Sequence, residues 1–180
     1  QEQIAETLCD YLGADKVLWL SDGIDPEETN GHVDDVACFV HPGEVACIYT
    51  EDESSPFYET AQQCYRELCG MTDAKGRKLK VHRVCCPKEP VQIGDDFRID
   101  HMPGTIPREQ GELCIASYLN FLITNGAVIV PQYGDENDAL ALEQIPEIFP
   151  EREVIGVYTR EIVYGGGNIH CITMQQPKCR

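Results

Sequence analysis

Apolar positions recur along this chain with two different periods. In residues 2–13 they fall at Ile4, Leu8 and Leu12, the spacing of one helical face, and Gly13 supplies a stop. Lys16–Leu20 reads KVLWL, a short apolar run of strand type. A polar loop over 21–31 follows. Val33–Val40 and Glu44–Thr50 are two β-rich runs joined by His41-Pro42-Gly43, a hairpin signal. Ser54, Ser55 and Pro56 open a helix that runs to Met71, and Lys78–Cys85 is the next strand. Farther on, Leu113–Thr124 and Val128–Gln132 flank Asn125-Gly126, a strong short-range hairpin signal. Asp135–Asn137 cap a helix to Phe149, and Glu153–Tyr158 is again a strand.

The order strand–strand–helix–strand therefore occurs twice. The two turns lie 83 residues apart and the two helix starts, Ser55 and Glu136, lie 81 apart. Residues 2–20 read as the αβ end of an earlier unit, and 169–175 as the first strand of a later one. A repeat of this kind governs the fold. Each unit leaves a sheet edge and an apolar face to cover, so such units stack or close radially. The expected organisation is a partial module 1–31, a module 32–86, a linker 87–112, a module 113–160 and a closing strand within 161–180. On this reading the chain is an excerpt of a repeating or closed α/β structure. The alternative is an ordinary α+β domain whose repeat is coincidence. Open edges and module faces predict association with another copy or with a complementary half.

Composition narrows the partners. The 180 residues carry 31 Asp+Glu against 14 Lys+Arg, a net charge of −17. That balance excludes a nucleic-acid binder, which carries a basic patch or stripe, and an anionic membrane surface. No apolar run approaches the roughly 20 residues of a membrane-spanning helix. An acidic protein does attract cationic ligands, although the same charge also serves solubility alone. The 10 cysteines fall below the density of a disulfide scaffold, and most sit inside apolar runs. With the polar opening Gln1-Glu2-Gln3 in place of a signal-peptide pattern, a reduced, cytoplasmic setting is expected.

Two clusters carry candidate chemistry. One is Glu27-Glu28-Thr29-Asn30-Gly31-His32-Val33-Asp34-Asp35, at the mouth of a strand. The other is Tyr164-Gly165-Gly166-Gly167-Asn168-Ile169-His170-Cys171, a glycine loop running into another. Alternate side chains of a strand share a face. His32 and Asp34 are then expected to point together, and His170 away from Cys171. This makes His32 the better partner for the thiol. Three successive glycines allow backbone to approach a ligand closely. No Lys-Ser/Thr follows them, so they are not a phosphate loop. A thiolate is a nucleophile and a His moves protons near neutral pH. Nearby carboxylates oppose thiolate formation unless the substrate is itself a cation. A guanidinium, with five planar donors, suits them. The residues alone leave three readings open: thiol attack on a planar cationic carbon, a packed structural set, or a metal site of His32, Asp34, His170 and Cys171.

Asn30-Gly31-His32-Val33-Asp34, together with Tyr164 through Cys171, resembles the agmatine deiminase family of the pentein, or guanidine-modifying, superfamily. The likeness extends through Glu51–Phe57 and Gln132–Asp138, and is to the C-terminal half of such an enzyme. It implies a pentein-type α/β propeller of five ββαβ modules, roughly half of which is here. It also implies hydrolysis of agmatine to N-carbamoylputrescine and ammonia, with no cofactor and no metal. By motif, Cys171 corresponds to the nucleophile, His32 to the general acid/base and Asp34 to a guanidinium-binding carboxylate. Gly166 corresponds to a substrate-contacting backbone position and Glu28, more weakly, to a partner of the distal ammonium. The family's second guanidinium-binding carboxylate lies in the N-terminal half and has no counterpart here. Bacterial peptidyl-arginine deiminases resemble the same pattern, so blocked arginine is the alternative substrate. A catalytically incomplete half-propeller is a further alternative.

Overall fold

A computed structural model describes residues 1–24, 31–95, 97–98, 103–104 and 108–176. Helix α1 spans Glu2–Leu12 and ends at Gly13, whose φ of 64° permits the left-handed cap that closes it on Cys9. The first repeat comprises β1 (Ala37–His41), β2 (Glu44–Tyr49), α2 (Tyr58–Gly70) and β3 (Lys80–Cys85). The second comprises β4 (Leu122–Ile123), β5 (Ala127–Gln132), α3 (Asp138–Ile148) and β6 (Glu153–Tyr158), followed by the short α4 (Arg160–Val163). Both repeats share one topology. The first two strands pair antiparallel, and the helix carries the chain over to a third strand parallel to the second. Each sheet is therefore mixed and three-stranded, in the order β1-β2-β3 or β4-β5-β6.

Local chemistry accounts for these elements. Pro42-Gly43 joins β1 to β2, with Gly43 at φ 84° taking the position of a tight turn that glycine suits. The second hairpin forms at Asn125-Gly126, closed by Thr124, whose hydroxyl accepts the Ala127 N–H and whose N–H donates to the Ala127 carbonyl. The central strands β2 and β5 run Val45–Ile48 and Val128–Val130 into the interior, and one continuous core takes residues from both repeats. Tyr118, Tyr133, Phe121 and Phe149 are its largest fully buried members. Polar groups also cross between the repeats. Gln144 of α3 accepts the Cys85 N–H at 2.8 Å, and the His41 ring meets the Ile148 carbonyl at 2.8 Å.

Four expected strands differ from what forms, and one of them, Leu113–Thr124, is a strand only at Leu122–Ile123. Lys16–Leu20 enters no β ladder among the described residues. Its Leu18 and Leu20 pack on the core, but the segment is held by α2 and the residues beyond it. Lys16 donates to the Thr72 carbonyl, and Ser21 gives its N–H and hydroxyl to Glu67. The run Val33–Val40 divides into a 3-10 turn over Val33–Asp35 and a strand that begins only at Ala37. The strand expected over 169–175, within the closing segment 161–180, is a turn where described. There the Ile172 N–H returns to the Asn168 carbonyl and the Thr173 N–H to that of His170, so local closure takes the groups a ladder would need. No helix of the described residues is long and apolar enough to cross a membrane.

Candidate active site

Two turns from opposite ends of the chain meet at Cys171. The first is the 3-10 turn. Its entry is pinched where Gly23 and Gly31 touch backbone to backbone: a Cβ built on Gly23 would lie 2.4 Å from the Gly31 Cα. His32 follows as the residue preceding the turn and is exposed, and its carbonyl accepts the Asp35 N–H. Asp34, half-buried, and Asp35, buried, sit within the turn. The second is the glycine loop after α4. Gly166 has φ 92°, a conformation glycine alone adopts readily, and its N–H is bound to the Val163 carbonyl. Buried Asn168 anchors the loop below, with its amide donating to the Tyr133 hydroxyl and its Oδ1 accepting the Ile169 N–H. The Tyr133 hydroxyl in turn donates to the Ser117 carbonyl at 2.9 Å.

The turn geometry changes which side chains converge. His170 and Cys171 do not point apart, because no strand alternation applies there. The His170 Nδ1 lies 2.7 Å from the Asp34 Oδ2, and the Cys171 Sγ lies 3.3 Å from the same oxygen. The fully buried Asn120 completes the group, with its Nδ2 3.1 Å from the Cys171 Sγ and 2.9 Å from the Asp35 Oδ1. Sequence reasoning passed over Asn120, Asp35 and the pairing of His170 with Asp34. The available signal for Asn120 was a lone amide inside the apolar run Leu113–Thr124. The structure brings Cys171 and Asp34 together. Glu28 lies outside the described residues.

The electrostatics follow from this packing. Burial opposes ionisation of Asp34, but the hydrogen bonds from His170 and Cys171 outweigh it and hold the carboxyl below its ordinary value. Burial pushes the Cys171 thiol up. Asn120 and the Asn168 backbone draw it back, and the Asp34 carboxylate pushes it further. The free site thus favours thiol beside carboxylate. Asp34, Asp35 and Cys171 also each present a metal-ligand atom, all within 4.8 Å of one another. That set shares only Asp34 and Cys171 with the four residues expected from sequence. Among the described residues Cys9, Cys38, Cys47, Cys64, Cys69, Cys85, Cys86 and Cys171 are free thiols. Cys171 is exposed, whereas Cys47, Cys64, Cys85, Cys86 and Cys114 are buried.

Comparison with known proteins gives a consistent set of relatives. A family model described as Porphyromonas-type peptidyl-arginine deiminase matches residues 1–177. A Lactococcus lactis protein provisionally named agmatine deiminase is 69% identical over 180 residues, covering 100% of this chain and 49% of that protein. A solved structure described as the agmatine deiminase of Enterococcus faecalis catalysing its reaction is similar with a TM-score of 0.95. It is 68% identical and covers 99% of this chain and 49% of that one. A solved structure provisionally described as a peptidyl-arginine deiminase matches with a TM-score of 0.83 at 30% identity, over 99% of this chain and 49% of the other. The chain spans about half the length of the curated relatives it matches.

Proposed function

The chain belongs to the Porphyromonas-type peptidyl-arginine deiminase family, and from that premise we propose that its site belongs to a hydrolase that deiminates agmatine. The products are N-carbamoylputrescine and ammonia, which places the activity in agmatine breakdown toward putrescine. The observation that carries this reading is a carboxylate 3.3 Å from an exposed thiol. Such a neighbour hinders thiolate formation, so the pair makes chemical sense when a cation is seated between them. A guanidinium offers that charge with a planar set of donors, and no acceptor.

The proposed route has two steps. Asp34 grips the guanidinium and the Cys171 thiolate forms an S–C bond to its central carbon. His32, as imidazolium, protonates one nitrogen. The C–N bond breaks, ammonia leaves and an amidino-cysteine remains. Neutral His32 then takes a proton from water, and the hydroxide adds to the same carbon. The C–S bond breaks and the hydroxyl proton passes to solvent, where it makes ammonium with the released ammonia; this restores the thiolate and releases the neutral ureido product. Overall, one water is consumed and one ammonia released, with no redox change. The Gly166 N–H is spent on Val163, so its carbonyl is the group that can accept from a guanidinium. Glu28 is assigned, by motif alone, to the distal ammonium.

The propeller arrangement, the modular boundaries, the cytoplasmic setting and pairing with a complementary half or a second copy belong to the same proposal. The similarity to agmatine deiminases at 68–69% identity supports it. In full-length protein, Cys171→Ala is expected to abolish ammonia release while agmatine binding stays measurable by calorimetry; normal turnover by that variant ends the assignment. The family description favours a second substrate, peptidyl-arginine. Competition between agmatine and an N- and C-blocked arginine separates the two. Ammonia assays on this chain, alone and with the complementary half, separate an active fragment from an incomplete site.

A further inference from the structure

Asn120 has no role in the route above, yet it touches more of the site than any residue that does. Its side chain is fully buried. Its Oδ1 accepts the backbone N–H of His170 at 2.9 Å and that of Cys171 at 3.3 Å. Its main-chain carbonyl also accepts the His170 N–H at 3.1 Å. Two backbone donors facing one amide oxygen fix the orientation of the carboxamide, since a flip would set N–H against N–H. The Nδ2 group must then face the acids and the sulfur. It lies 2.9 Å from the Asp35 Oδ1, 3.1 Å from the Cys171 Sγ and 3.3 Å from the Asp34 Oδ2.

An amide nitrogen has two hydrogens, and here three acceptors compete for them. Asp35, the nearest, takes one. The second is shared between the Asp34 oxygen and the Cys171 sulfur. We infer that Asn120 is a positioning residue that aims the Cys171 side chain and stabilises its thiolate through the Nδ2–H bond to sulfur. The aim comes from Oδ1, which pins the two successive backbone N–H groups leading into the Cys171 Cα. A guanidinium seated on Asp34 would satisfy that oxygen and leave the second hydrogen to the sulfur, so substrate binding and thiolate formation become linked. This last consequence rests on the proposed reaction; the bond to sulfur does not.

The test reads Cys171 directly. Iodoacetamide labelling of this chain, resolved by peptide mass spectrometry, gives the pH midpoint of Cys171 alkylation. Asn120→Ser removes both amide hydrogens without adding charge, and Asn120→Asp keeps the acceptor while losing the donors. Both are expected to raise the midpoint by about one pH unit and slow alkylation at neutral pH about tenfold, Asn120→Asp the more. A purely structural role would lower the melting temperature and leave the midpoint alone. Folded variants with the native midpoint overturn the inference. Should neither variant fold, the native chain still decides. The Asn120 Nδ2–H NMR resonances must titrate with the alkylation midpoint and lose that response in Cys171→Ala, and resonances blind to thiol ionisation overturn it. In full-length protein, Asn120→Ser should lower kcat for agmatine with little change in KM. If native protein proves inactive on agmatine, the proposed reaction fails and the labelling result stands on its own.

Discussion

Gly167→Ala puts one methyl group against the proposed nucleophile. A Cβ at Gly167 would lie 2.9 Å from the Cys171 Cβ and 3.1 Å from its Sγ. Ordinary carbon contacts are about 3.5–4.0 Å, so Cys171 or the loop must give by roughly 0.6–1 Å. Backbone conformation is no obstacle, because Gly167 is not among the positive-φ glycines. Retreat of Cys171 is resisted from several sides. Its own N–H and that of His170 are held by Asn120, the Ile172 N–H by Asn168, and the Thr173 hydroxyl donates to the Ile169 carbonyl at 2.8 Å. A shift of this size stretches the sulfur contacts at 3.1 and 3.3 Å beyond useful range. Misplacing a reacting group by about 1 Å costs on the order of 10²-fold in rate, equivalent to about 2.7 kcal/mol. Overpacking itself costs about 1–3 kcal/mol of stability. The assay is ammonia release from agmatine by full-length Gly167→Ala, with peptide-resolved alkylation of Cys171 and a thermal melt alongside. Gly70→Ala is the control, since a Cβ there meets nothing within 4 Å. Native alkylation and turnover in Gly167→Ala would refute the close approach of the glycine loop to the thiol.

Three other outcomes are expected. Burial pushes Cys38 and Cys64 up to about 11 and Cys85 and Cys86 to about 12, so the unfolded chain loses these protons first as pH rises above about 8.5. Folding stability should then fall with rising pH, by up to about 1.4 kcal/mol per thiol per pH unit, and urea midpoints that stay flat from pH 8 to 10 contradict it. Asp34 behaves in the opposite sense. Its folded value is lowered, so the stability it contributes is complete above about pH 4 and is lost only as pH falls through its folded value. In His170→Ala the carbon-13 titration of the Asp34 carboxyl should move up, and an unmoved midpoint rejects the pairing. Finally, the Asp138 carboxylate accepts the N–H groups of Tyr133, Gly134 and Asp135 and the hydroxyl of fully buried Tyr118. Asp138→Ala strands these donors and should cost about 2–3 kcal/mol by chemical denaturation; a loss under about 0.5 kcal/mol rejects that account.

The repeat was legible because its signals are local. Glu153–Tyr158 forms the strand its short β-rich run predicts, and Pro42-Gly43 and Asn125-Gly126 turn where their chemistry requires. Helix α2 starts at Tyr58, a few residues later than Ser54-Ser55-Pro56 suggested, because those residues form the turn that leads in. Lys16–Leu20 shows the limit of such reading. Its composition suits a strand, but a strand also needs a neighbour with free backbone groups; here the Lys16 ammonium binds Thr72, and Ser21, next in the chain, binds Glu67 of α2. Partner choice is a tertiary fact that a run of apolar residues does not encode.

The site divides along the same line. Cys171 and Asp34 could be chosen by chemistry and motif, because neither choice depends on backbone path. The error concerned His170, which was excluded by alternation along a strand that does not exist. Alternation is a statement about extended backbone only. Once the Asn168 carbonyl accepts the Ile172 N–H, residues 170 and 171 lie on one turn, and both side chains can reach Asp34. Asn120 was hidden for a related reason. In an apolar run an amide reads as a flaw in a strand, yet this residue lies just before β4, outside any ladder, where its side chain is free to serve other backbone. A fully buried amide must spend its donors and acceptor on something. Here it spends them on the backbone and sulfur of Cys171, on the His170 N–H and on the two acids of the 3-10 turn. The features that bring this thiol, imidazole and carboxylate together are thus irregular segments pinned by buried polar side chains, and the regular repeat supplies the rigid frame that holds both turns in place.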